Sequence, residues 1–133
     1  MATATAPATG RVIQITGAVV DIVFPPGQLP AIYNAVELER EGQDPLVCEV
    51  QQHLGNNWVR SVAMTTTDGL PRGGAARDTG GPISVPVGEA TLGRVFDVLG
   101  KPIDGKGEVT ATKSLPIHRS APAFDEQSTE VEV

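Results

Sequence analysis

Residues 46–64, LVCEVQQHLGNNWVRSVAM, restrict the fold more than any other stretch of the chain. Leu46, Cys48, Val50 and Leu54 share one face, while Glu49, Gln51 and His53 share the other. That alternation is the period-2 pattern of a half-buried strand. Gly55, Asn56 and Asn57 follow, and Gly and Asn tolerate the positive φ that tight hairpin turns demand. Residues 58–64 then read as the returning strand, so the middle of the chain is an antiparallel hairpin with one apolar face to bury.

The rest of the first two thirds is cut into similar lengths. Fifteen Gly and 11 Pro interrupt it often enough to favour many short elements over a few long helices. RVIQITGAVVDIVFP, residues 11–25, is rich in β-branched residues and reads as one strand. Its inward parity changes from Ile13 and Ile15 to Val20, Ile22 and Phe24, which puts a bulge or bend at Gly17. Residues 31–41 read as a second strand and residues 65–81 as a long loop. PISVPVG, residues 82–88, closes the series. Five or six short strands of this spacing predict a mainly β fold, a small closed barrel over residues 10–88. With so few strands its interior is filled by side chains and holds no ligand.

At Gly88 the period changes. Leu92, Val95, Phe96 and Leu99 fall at i, i+3, i+4 and i+7, the spacing of a helix. Thr91 suits its N-cap and Gly100 its C′ position, while Gly93 inside it costs about 1 kcal/mol relative to Ala. Beyond it, KSLPIHRSAPAF shows no partner element, so the apolar face of the helix has little cover. Residues 89–133 therefore read as the incomplete start of another domain, loosely ordered when isolated, and residues 1–9 as a flexible tail.

Charge and composition exclude several functions. Ten basic residues against 16 acidic ones give a net charge of −6, which opposes a nucleic-acid surface. Arg11, Arg60, Arg72 and Arg77 are accompanied by one Trp, one Tyr and three Phe, few rings for base stacking. An oligonucleotide-binding barrel is nonetheless an alternative, decided by whether Trp58 and Tyr33 face solvent beside those arginines. Cys48 is the single cysteine, so it forms no internal disulfide and reads as a buried thiol. No apolar run reaches the roughly 18 residues of a membrane span. MATATAPATG has neither the basic region of a secretory signal nor the arginines of an organelle presequence.

Chemistry-bearing motifs are absent as well. A phosphate loop needs G-x-x-x-x-G-K-[ST], and the lysines of LGKP and DGKG are not followed by Ser or Thr. RGGAARDTGG is a Gly-rich loop without lysine. His53 and His118 have no second ligand at metal spacing. Asp97 with Asp104, and Glu130 with Glu132, read as solvated surface rather than acid–base pairs. The expected catalytic, cofactor-binding and metal residues are none.

Six blocks, taken together, carry a resemblance. GRVIQITGAVVDIVFPPGQLPAIYNAVEL, EVQQHLG, VRSVAMTTTDGLPRG, PISVPVGEATLGRVFDVLGKPID, PIHRSAPAF and EQSTEVEV match, in order and spacing, the N-terminal part of ATP synthase β subunits from about Gly10 to Val133. The α subunits share the VPVG…LGRV…PIDGKG block, while IYNA, EVQQHLG and VAM…TDGL resemble β. Asp97 stands where the family often has Asn, and RGGAARDTGG is richer in glycine than the family pattern.

The resemblance implies a crown barrel that packs with α-subunit barrels into an alternating ring of the F1 sector, alongside the remaining F1 subunits. It further implies that PISVPV is the last barrel strand, and that a nucleotide-binding domain follows, truncated here before its phosphate loop. The full-length subunit would use Mg-ATP and ADP in proton-driven ATP synthesis, whereas this portion would be inactive and hold no cofactor. The expected location is cytoplasmic, peripheral to a bacterial inner membrane through the complex, with no nucleic acid and no membrane insertion. A stand-alone barrel used for docking elsewhere is the other alternative.

Overall fold

The computed structural model describes residues 8–130. Among the described residues there are eight strands: β1 (Thr9–Thr16), β2 (Val19–Val23), β3 (Asn34–Leu38), β4 (Leu46–Gly55), β5 (Trp58–Ala63), β6 (Ala75–Pro82), β7 (Ser84–Val87) and β8 (Lys113–Pro116). The first six close a barrel in the order β1-β2-β5-β4-β3-β6, and β7 and β8 form a separate antiparallel pair. All six barrel pairings are antiparallel, and the β1–β6 pairing removes the last free edge.

The central hairpin forms where the alternation places it, with Leu46, Cys48 and Val50 inward, but its register shifts between Val50 and Gln52 and again between His53 and Gly55, and Leu54 is only half-buried. Asn56 and Asn57 both adopt positive φ between Gly55 and Trp58, the conformation of a type I′ turn. Inward from the four strands β2 to β5 point Ile22, Leu38, Leu46, Val50 and Val59, all sealed from solvent. Each such side chain contributes about 1.5–3 kcal/mol through burial, so this interior is the main source of stability. Leu70, from the β5–β6 connection, joins the same core.

Four expectations are corrected. Residues 11–25 form two strands instead of one: Thr16 pairs with Val19, and Gly17, at φ 59°, helps make the tight turn between them. The bulge that reverses the inward parity lies between Val12 and Gln14, where the register shifts. Residues 65–81 are only half loop, because β6 begins at Ala75 and closes the barrel between β3 and β1. Small residues hide this strand from a hydrophobicity reading, since Ala76 is its one fully buried side chain. PISVPV is consequently outside the barrel, and KSLP, expected to lack a partner, is the strand that pairs with it.

The fourth correction is the helix. A single 3-10 turn, Glu89–Thr91, replaces it, and Thr91 is the end of that turn rather than an N-cap. Gly93 adopts a left-handed φ of 70° in the middle of the expected helix, which an α-helix interior does not permit. The chain instead doubles back, with Ile103 N donating to Val95 O, Asp97 N to Lys101 O and a bridge between Phe96 and Pro102. Of the expected tail, residues 1–7 lie outside the described residues. Ala8 O accepts a bond from Asp78 N, and Thr9 pairs with Arg77.

Cys48 faces the core with no solvent exposure, and burial pushes its thiol pKa up to about 12. The raised value means that folding favours the neutral thiol. This contribution to stability is complete below pH 9 and disappears as pH rises from 9 towards 12. Alkylation of the native chain at pH 8 is accordingly expected to proceed only through barrel opening, at least a hundredfold slower than in the denatured chain. Equal rates in the two states would contradict the sealed core.

Candidate functional site: the outer wall of the barrel

Because the interior is full, the surfaces able to do anything are outside it. On β2 and β5, Asp21 and Arg60 are direct cross-strand partners. The guanidinium grips the carboxylate with both arms, Nε to Oδ1 and Nη2 to Oδ2, each 3.0 Å. Asp21 is 3% exposed although it points away from the core, because Arg60 lies over it. Those hydrogen bonds raise the Arg60 pKa above its ordinary value. Across β3 and β6, Arg77 pairs with Glu37.

A second covered zone lies on β3 and β4. Ala35 and Glu49 are opposite one another, and both are buried although alternation turns them outward. Ile83, just past the barrel, is buried as well. Glu49 Oε1 accepts from Gln51 Nε2 at 2.6 Å, and Oε2 lies 2.9 Å from His118 Nε2. The His118 ring stacks on Tyr33, with centroids 4.1 Å apart and planes 22° from parallel.

Each residue weighed from sequence now has a place. His53 Nε2 lies 2.7 Å from Pro30 O, 23 positions earlier in the chain, and so fastens a loop. Of the residues considered for nucleic acid, Tyr33 is exposed with its ring stacked on His118, Trp58 is half-buried, Arg60 and Arg77 are engaged by carboxylates, and Arg11 and Arg72 are exposed. RGGAARDTGG is mostly β6, in which Asp78 Oδ1 accepts from Gly80 N and from Asn34 Nδ2. Glu130 is exposed, and Glu132 lies outside the described residues. Among the described residues no three His, Cys, Asp or Glu side chains converge as a metal site.

Asp97 and Asp104 are not brought together as an acid–base pair. They organise the doubled-back segment that stands where a helix was expected. Asp97 Oδ1 accepts from the backbone N–H groups of Leu99 and Lys101. Asp104 binds Arg94 through both oxygens and also accepts from Val95 N and Lys106 N. The Arg94 hydrogen bonds, followed by that from Val95 N, hold the Asp104 carboxyl well below the usual carboxylate range. Local side-chain-to-backbone bonding of this kind competes directly with helix formation. Gly100 brings this segment against β7, where a Cβ would fall 2.7 Å from Pro86 Cδ.

The contact that sequence reasoning missed is Glu49 with His118. They are 69 positions apart, and no local signal links them. Glu49 looked like an ordinary solvent-facing residue of an alternating strand.

Taken together, the wall carries paired charges and a covered patch. None of the described helices is long and apolar enough to cross a membrane. The sequence model for the ATP synthase alpha/beta family, beta-barrel domain, matches residues 12–80. That interval runs from β1 through most of β6, the six strands that close the barrel. The chain belongs to the ATP synthase alpha/beta family, and the part of that family it carries is the β-barrel domain.

Proposed function

We propose that this chain is the N-terminal assembly domain of the catalytic β subunit of a proton-driven ATP synthase. Its barrel stands beside those of α subunits in an alternating ring and contributes no turnover itself. The observation that carries this reading is the closed, filled barrel matched by the family: with its interior occupied, the outer wall is what remains for partners. IYNA, EVQQHLG and VAM…TDGL favour β over α. An F1 ring is an oligomeric assembly, peripheral to the membrane, and the expected setting is the cytoplasmic face of a bacterial inner membrane. Mg-ATP and ADP would be handled by residues of the full-length subunit outside this sequence, which has no G-x-x-x-x-G-K-[ST] loop.

The test is a calorimetric titration of the purified chain with Mg-ATP. No saturable binding at millimolar nucleotide is the expected result. Stoichiometric micromolar binding would mean that this wall contains a phosphate site and would overturn the division of labour proposed here.

A further inference from the structure

Strand alternation sends Cys48 and Val50 into the barrel and Glu49 out of it. An outward carboxylate is ordinarily hydrated, yet Glu49 is 6% exposed. Its cover comes from the chain that follows the barrel. Ile83 leads into β7, Ile117 N donates to Ile83 O just beyond the β7–β8 ladder, and His118 follows at once. Of the two Glu49 oxygens, one is satisfied within β4 by Gln51, whereas the other is met by His118.

We propose that Glu49, His118 and Tyr33 form a latch that fixes the β7–β8 pair against the barrel wall and so sets the direction in which the chain leaves the barrel. Three features support a device with two discrete positions. The first is the carboxylate: a covered Glu49 without His118 would hold an unmet oxygen, so partial release is disfavoured relative to either closed or fully hydrated. The second is Tyr33, which takes a left-handed φ of 72° that non-glycine residues seldom adopt. Its own N–H donates to Val50 O at 2.8 Å, so the backbone holds the ring in position to receive the imidazole. The third is asymmetry of exposure: the His118 side chain is 44% exposed and that of Glu49 7%, so solvent reaches the bolt and not the socket. When the latch opens, β7–β8 and the segment docked on it through Gly100 move together while the six barrel pairings remain intact.

The test is amide hydrogen exchange on the full chain, resolved by NMR, for the wild type, His118→Ala and Glu49→Gln. Truncating a half-exposed imidazole leaves no cavity in the core. Both variants are expected to speed exchange of the β7–β8 ladder amides and of Ile117 by about tenfold or more, with β2 and β5 amides unchanged. Unchanged exchange of the β7–β8 amides in His118→Ala would overturn the proposal. Equal acceleration in β2 and β5 would also overturn it, by reducing the pair to a contact of the barrel fold as a whole.

Discussion

Replacing Gly10 with valine prevents normal closure of the barrel at the β1–β2 seam. Gly10 is buried in β1, and a Cβ there would lie 2.6 Å from Val23 O, 2.9 Å from Phe24 Cε1 and 3.0 Å from Ile22 Cγ2. The nearest of these is backbone, and it cannot retreat freely because Val23 is paired with Arg11 on one side and Trp58 on the other. The aromatic ring cannot give way either, since Phe24 is packed in the core. Overpacking a sound core costs typically about 1–3 kcal/mol, and a backbone clash puts even Gly10→Ala at the upper end of that range. Valine adds two further carbons in the same direction, so its cost approaches the whole stability of an ordinary domain, about 5–15 kcal/mol. Urea unfolding measures this: Gly10→Ala lowers the midpoint markedly, and Gly10→Val leaves little cooperative transition. A valine variant with the wild-type midpoint would show that β1 does not approach β2 as described.

The second large effect is expected at Leu38. It has no solvent exposure and sits in β3 opposite Leu46 of β4 and Ala76 of β6. Truncation to alanine removes transfer free energy and leaves a cavity that a closed barrel can collapse into only partly. A loss of about 3 kcal/mol follows, within the 2–5 kcal/mol range for buried Leu→Ala changes. Leu92→Ala is the matched control. Leu92 is 77% exposed in the segment after the barrel, and the same chemical change there should stay within about 0.5 kcal/mol. If both substitutions cost the same, the core does not lie where the barrel places it.

These two leucines also mark what a sequence can and cannot disclose. The strand that carries Leu38 was legible within residues 31–41, and so was the hairpin around Asn56 and Asn57, because strand propensity and turn chemistry are local and agree there with the tertiary fold. β6 was illegible because its inward positions are filled by small residues. Its backbone hydrogen bonds to β1 and β3, rather than its apolar side chains, define it as a strand. Leu92 misled in the opposite sense. Its spacing with Val95, Phe96 and Leu99 is that of a helix, but the two aspartates offer the backbone other partners, and Gly93 takes a conformation no helix interior accepts. At Gly17 the sequence signal was sound and its interpretation was not. A glycine at a change of parity serves a bulge or a hairpin turn equally well, and only the partner strand decides.

The candidate surface was less legible than the fold. Residue types and spacing alone show that the sequence carries no G-x-x-x-x-G-K-[ST] motif. Glu49 with His118, by contrast, exists only because the chain after the barrel returns to its wall, a property of topology that neither residue advertises. Asp21 is similar, since burial of its carboxylate depends on the register that sets Arg60 opposite it. Polar residues in alternating strands therefore have to be judged by what later covers them.

A barrel that serves as an assembly module must pair with partner barrels in solution. The measurement that tests it most directly is the solution mass of the chain, alone and mixed with the N-terminal barrel portion of an ATP synthase α subunit, by sedimentation. The predicted result is a new species containing both chains in equal number, formed at micromolar concentration and absent from either chain alone. If the mixture sediments as two unchanged components across that range, the wall of this barrel does not pair with α, and the proposed role in the ring fails.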